Sequence, residues 1–461
     1  MRTLILFLPL ALSACSLTPA LPKPELPVPA VYPDAFAGSA NTPADVTGRV
    51  MFRDPRLQRL IQLALDNNRD LRLATLNVAA ARAQYRVQDA ASVPGIDASG
   101  SFVRQRNAAN PDAKPAQQAG VAEQVGVNVG LSAFEIDLFG RVRAQSEAAF
   151  ARYLASQEGR RAAQISLVAA VADAYLAERL SYEQRDLAER TLRDWRQSLE
   201  VARLLWRAHQ NSELEVAQAE GQVAIAEGDL EARTRAVAQA RNALQLLVGT
   251  TLPADLPAAM QLASQPVLTE LPAGVPAELL ARRPDILQAE QALVAANADI
   301  GVARAAFFPR ISLTATLGFA SPAMSSLFDG QQRVWNFSPQ ITQPLFQGGR
   351  LRAELRLAEV RRSSAVVEYE RAIQIAFREV SDGLAGSATF GRQIKAQLRA
   401  VESAERRADL SILRYRSGLD GRLEVLDSQR QLYAARQALL DLRRNEFGNA
   451  IALYKALGGG L

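Results

Sequence analysis

Apolar residues change their period once between Arg282 and Phe319, and the elements expected along the rest of the chain follow from that change. Ile286, Ala289, Leu293, Ala296, Ile300 and Ala303 recur at spacings of three and four, which marks one buried helical face. After Phe307-Phe308-Pro309 the period falls to two: Ile311, Leu313, Ala315, Leu317 and Phe319 alternate with Arg310, Ser312, Thr314, Thr316 and Gly318. A helix therefore feeds a two-faced strand through one proline. The same alternation predicts strands at about Gly95 to Arg104, Val125 to Ile136, Arg310 to Phe319 and Arg333 to Thr342, the last weakened by Pro339, which cannot donate to a ladder.

Helical patterning starts at Asp54, with Leu57, Leu60, Ile61 and Leu65 on one face, and a second helix is expected from about Asn68 to Ala91. No proline interrupts Arg141 to about Trp206, nor Gly348 to the end of the chain. A helix of about 66 residues extends roughly 100 Å. Ile165, Val168, Ala172 and Tyr175 have the spacing of a coiled-coil seam. Such a helix must pack against neighbours along its length, those of other chains included.

The construction occurs twice. Asp70 to Pro94 corresponds to Asp285 to Pro309, and Leu138-Phe139-Gly140-Arg141 corresponds to Leu345-Phe346 followed by Gly349-Arg350. The correspondence continues through Asp173 and Asp382, Leu214-Glu215-Val216 and Leu423-Glu424-Val425, and Gly249 and Gly458. The expected organisation is a segment 15–67 with a proline-rich strap, a first repeat 68–249, a proline-rich connector 250–282, a second repeat 283–458 and a tail 459–461. Each repeat reads helix, strand, strand, long helix, helix.

Each strand is near the roughly 9–11 residues that a tilted strand needs to cross a bilayer. Val125, Val127, Val129 and Leu131 set an apolar face against Gly126, Asn128, Gly130 and Ser132, as in an outer-membrane barrel; a half-buried soluble sheet gives the same alternation. Four strands cannot close a barrel, and open edges are not tolerated in lipid, so strands in a membrane require several chains. Two chains give a narrow barrel, and three give about twelve strands with room for a lumen. Polar loops at 105–124 and 320–332 suit the outer side. At the helix-strand junctions, Phe139, Phe307, Phe308 and Phe346 read as an interfacial girdle, with core packing the competing account of the 307–308 pair.

Each long helix turns back at a short loop, 208–212 in the first repeat and 417–421 in the second. Asn211 or Ser212 can cap the returning helix, Ser212 with Glu215 in the spacing of a capping box, and Gly418 suits a left-handed helix end. Asp420, Glu424 and Asp427 fall on one helical face, with Arg416 and Arg422 available to pair with them or remain solvated. Asp420 is equally an N-cap candidate, and acidic residues in a first turn complement the helix dipole without further role.

Composition narrows the chemistry. The charge of +5 is the remainder of 53 basic and 48 acidic residues interleaved along 461, with no basic run for nucleic acid. Aromatics make up only 6%, which suits long helices side by side more than a thick globular core. The single histidine, His209, sits at a loop tip, and no phosphate loop, metal-ligand pair or nucleophile motif appears, so neither catalytic residues, a metal nor a cofactor is expected. The first 14 residues read as a signal with Leu12-Ser13-Ala14 before Cys15, the only cysteine; a covalent lipid there would help anchor the chain to a bilayer. Prolines at 19, 22, 24, 27, 29 and 33 make the following strap extended.

RRPDILQAEQALVAANADIGVARAAFFPRISL, AFEIDLFGRVR, QPLFQGGR and RYRSGLDGRLEVLDSQRQLYAARQ together resemble the outer-membrane efflux channels of the TolC/OprM type, in their lipoprotein branch. The resemblance covers nearly the whole chain in order. It implies a homotrimer whose twelve-stranded transmembrane β-barrel continues into a long periplasmic α-helical barrel. It also implies passive export of small molecules, with a periplasmic adaptor and an inner-membrane pump of the proton-driven resistance-nodulation-division type as partners. The pump would largely choose the cargo. Outer-membrane sorting is implied by Ser16 after the lipidated Cys15. The gate is implied at the hairpin tip, with Glu424 and Asp427 on the acidic positions, Asp420 beside them, and Tyr415 on a tyrosine that ties neighbouring coils. Alternatives are a non-pore periplasmic scaffold, or a channel for protein secretion or metal efflux; a scaffold needs no strands of membrane-spanning length.

Overall fold

The structure, a computed structural model, describes residues 17–21, 27–29, 48–109, 119–269, 271 and 282–460. Cys15, the signal segment and most of the strap fall outside these, as do parts of the first outer loop and of the connector. The elements are α1 (Gly48–Met51), α2 (Pro55–Asn67), α3 (Arg69–Ala90), β1 (Asp97–Asn107), β2 (Gly120–Ile136), α4 (Arg141–Arg207), α5 (Glu213–Val248), α6 (Pro284–Ala305), β3 (Arg310–Ser321), β4 (Arg333–Thr342), α7 (Arg350–Arg416) and α8 (Arg422–Ala456). Each sequence repeat contributes to both of the compact units into which the chain divides.

One unit, built mainly from Val78–Ser156 and Ala289–Tyr369, carries the sheet. The strands run antiparallel in the order β1-β2-β3-β4. β1 and β2 extend beyond the expected Arg104 and Val125, because Gln105, Arg106 and Asn107 pair with Ala122, Val121 and Gly120, and Arg104 meets Glu123 at 3.1 Å. β3 likewise continues to Ser321 opposite Val125. β4 has its expected bounds; it is an edge strand, and Pro339 opposite Leu313 is tolerated there. In β2 a bulge between Leu131 and Phe134 puts Ala133 at φ 52°, its N–H donating to Thr314 Oγ1. The inserted residue turns Phe134 and Ile136 onto the face that carries Leu131, opposite Leu313 and Ile311. β2 and β3 approach closely through glycine: a Cβ at Gly130 would lie 2.1 Å from the Ala315 carbonyl oxygen, and one at Gly318 2.0 Å from that of Val127.

The other unit holds the remaining lengths of the long helices, with α1, α2, α5, α8 and the connector. Leu192, Trp195, Leu199 and Ala202 of α4 form a core with Ala219, Val223 and Ala226 of α5. Polar ties fix the helices in register: Arg444 to Asp173 at 2.8 Å, Gln184 to Asp441 at 2.7 Å, and the buried Tyr175 hydroxyl to Asp54 at 2.6 Å. Burial first, then the bond to Asp54, raises the Tyr175 phenol far above its ordinary range. Arg283, 5% exposed, donates to Asp285, to Glu379 and to the Ala456 carbonyl, joining the start of α6 to α7 and the end of α8. Desolvation works against ionisation of Asp285, but the Arg283 fork outweighs it and holds the carboxyl below its usual range.

Candidate functional site

Two places carry the chain's distinctive chemistry, the sheet and the hairpin tips. The register gathers one apolar face: Phe102, then Val125, Val127, Val129 and Leu131, then Ile311, Leu313, Ala315, Leu317 and Phe319, then Trp335, Phe337, Pro339 and Ile341. Much of it is uncovered, with Trp335 76% and Ile341 69% exposed. The opposite face carries Ser99, Ser101, Gly126, Asn128, Thr314, Thr316, Asn336 and Ser338. An apolar face this size on an edge-open sheet calls for a solvent of hydrocarbon. No helix among the described residues is long and apolar enough to cross a membrane.

Of the aromatic residues expected at the junctions, Phe139 stacks on Phe308 with ring centroids 4.8 Å apart. Phe307 is half-buried beside them in sequence, while Phe346 stands 89% exposed. The structure adds aromatics at the other end of the sheet, which the periodicity had shown only as members of strands. Phe102 and Trp335 lie near the loops, and Phe319 meets Phe328 edge-on at 5.6 Å. Aromatics therefore flank the apolar band at both ends. Glu135 takes a bidentate bond from Arg141 at the junction end.

At the second hairpin the acidic residues are paired across the two helices. Arg407 of α7 reaches Glu424 at 2.8 Å and Asp427 at 3.1 Å. Arg414 grips Asp420 through two bonds of 2.6 and 2.8 Å, and this holds the Asp420 carboxyl below its usual range. The expected row of three carboxylates on one face is therefore corrected. Asp420 precedes the N-cap, which is Gly421 in extended conformation, so it lies off the helix and does not cap it. Nor are the partners Arg416 and Arg422: Arg422 is buried and donates to the Ser198 carbonyl and hydroxyl of the first hairpin. Tyr415 donates to Glu215 at 3.3 Å, again linking the two hairpins of one chain.

The first tip lacks its expected capping box, since the Ser212 side chain makes no cap bond; Asn211 instead donates to the Ala202 carbonyl and to Glu215. Both helices end alike. Leu419 N–H bonds the Arg414 carbonyl and Gln210 N–H bonds that of Leu205, around left-handed Gly418 and His209 respectively. Among the described residues no group of His, Cys, Asp and Glu is placed to hold a metal ion.

The outer membrane efflux protein family matches residues 60–250 and 275–459. The chain belongs to that family. It is 45% identical over 454 residues to the toluene efflux pump outer membrane protein TtgC of Pseudomonas putida, covering 97% of this chain and 93% of that one. It is 41% identical over 456 residues to the cation efflux system protein CusC of Escherichia coli, covering 98% and 97%. The open state of the Neisseria gonorrhoeae MtrE outer membrane channel superposes with a TM-score of 0.86 at 36% identity over 97% of this chain and 99% of that one. This outer membrane efflux protein is an outer-membrane exit duct with a strand-built membrane part and a helical periplasmic part, in a family of channels rather than enzymes. The non-pore scaffold is set aside.

Proposed function

We propose that three copies of this efflux protein close twelve strands around one lumen and pass small molecules delivered by an inner-membrane pump, of the proton-driven resistance-nodulation-division type, through a periplasmic adaptor. The observation that carries the reading is the open sheet, apolar on one face, polar on the other, with β1 and β4 each paired on one side only. Closing it with copies satisfies both edges and leaves the polar face toward water. A lipid on Cys15 would add a second hold on the outer membrane. No protein cofactor enters the scheme.

In this reading the second hairpin is the periplasmic gate, with Asp420, Glu424 and Asp427 held by the chain's own arginines and Tyr415 bonded to Glu215 of the first hairpin. Phe139, Phe307, Phe308 and Phe346 sit at the periplasmic-side interface of the outer membrane. Symmetry turns Glu424 and Asp427 into rings of charge that favour cations. The test is single-channel conductance of the mature protein in a planar bilayer. Small cation-selective steps are expected, and Glu424→Gln with Asp427→Asn should cut the cation-to-anion permeability ratio by about twofold or more. Unchanged selectivity in that double variant would remove the gate assignment, and silence in both proteins would count against the pore.

A further inference from the structure

The two repeats differ on one face of their first helices, and the difference coincides with a contact. On α6, Asn297, Gly301 and Arg304 are spaced by four and three residues, so they stack along one side. The start of the described chain lies across them. The buried Asn297 amide donates to the Pro19 carbonyl at 2.8 Å, and Arg304 donates to that of Leu17 at 3.3 Å. Between them Gly301 leaves room for Thr18: a Cβ there would come within 2.3 Å of the Thr18 hydroxyl and 3.2 Å of its Cα. The corresponding positions of α3 are Arg82, Arg86 and Asp89, which offer neither the gap nor the amide.

We infer that this face of α6 is a docking groove for the chain's own N-terminal segment, and that it holds the anchored end of the protein at the base of the sheet. Arg304 is the residue whose carbonyl receives the Phe307 N–H, immediately before the proline that opens β3. Two donors read main-chain carbonyls and one glycine admits a side chain, so the groove fixes the position of a segment whatever its outer residues. Its described residues 17–21 lie in neither helix nor strand, which leaves this contact to set where they lie on the body. Docking at the strand entrance shortens the slack between a bilayer anchor and the strands that must enter the same bilayer, which raises the effective concentration of the sheet at the membrane. The inference rests on the lipoprotein reading of Cys15 for its purpose, but not for the groove itself.

Gly301→Ala is the discriminating variant, because alanine is the better helix former and any loss must come from the segment it displaces. In the full-length protein, elastase cleavage after Ala20, which needs the segment to leave the helix and enter the protease, should quicken by about tenfold or more. The yield of heat-resistant oligomer in outer membranes should fall toward that of Cys15→Ser. Adding Thr18→Gly, which removes the clashing hydroxyl and Cβ, should restore both. Mass spectrometry of the N-terminal peptide reads the lipid separately. Unlipidated Cys15 in the wild-type protein would overturn the anchoring purpose, while cleavage after Ala20 still tests the groove. Unchanged cleavage in Gly301→Ala would overturn the groove, and quickened cleavage with full assembly would overturn its coupling to insertion.

Discussion

The two hairpin tips descend from one repeated unit and close their helices with the same hydrogen bonds, yet their paired helices are tied together by different ion pairs. At the second, Arg407 and Arg414 of the outgoing helix bind Glu424, Asp427 and Asp420 of the returning side. At the positions corresponding to Arg407, Arg414, Asp420 and Asp427 the first tip carries Ser198, Leu205, Asn211 and Gln218. Its own link is Arg203, paired with Glu200 and Glu220. A shared backbone fold with divergent charge shows that the turn geometry does not depend on the ion pairs around it. The pairs are exposed, so each is individually weak, and their effect lies in holding positions more than in overall stability.

The largest expected separation of the tips comes from Arg407→Ala. Freed from it, Glu424 and Asp427 repel their symmetry mates, and basal conductance should rise by about threefold or more, while Arg203→Ala leaves it near the wild-type value. Equal responses at the two arginines would erase the distinction. Next is the left-handed residue of each turn. His209 at φ 56° is strained where Gly418 at φ 70° is not, so His209→Gly should stabilise the first turn by roughly 0.5–1 kcal/mol and Gly418→Ala should loosen the second by a similar amount. Amide exchange at residues 209–212 and 418–421 measures both. The smallest effect is on pH. Arg414 lowers the Asp420 pKa below its ordinary 3.8, so the bond's contribution is complete above 3.8 and fades as pH falls through the lower folded value. Exchange of the second loop should therefore quicken in that acidic range, and the first loop, with Asn211 in the same place, should show no such step.

Most of the architecture was legible because each element has a single strong period. The Pro309 break, β4 and both ends of the 67-residue helices lie where periodicity and proline place them. The overshoot of β1 and β2 was hidden, since Gln105, Arg106 and Glu123 look like loop residues until the ladder pairs them with Ala122, Val121 and Arg104. The bulge was hidden too: Ser132-Ala133 breaks the alternation, and only the partner strand shows that it rephases Phe134. At the tip, reading along one helix gathered the acids and missed the bases. Folding the hairpin back on itself about Ser417-Gly418 would have set Arg414 near Asp420 and Arg407 near Glu424. The aromatics of the outer end were present as strand residues, and only the register shows that Phe102 and Trp335 share a face.

The open sheet also governs how the protein comes into being. A chain newly delivered to the aqueous side of the membrane carries two strand edges and an apolar face before any copy is near. Edges of this kind pair with whatever strand arrives first, so correct closure competes with aggregation for as long as the sheet stays wet. The hairpins, whose contacts lie close in sequence, form early and do nothing to cover it. Closure by several copies depends steeply on local concentration, so slow synthesis and dilute delivery lengthen the exposed interval. The step most exposed to aggregation is therefore the meeting of copies, not the folding of any one chain.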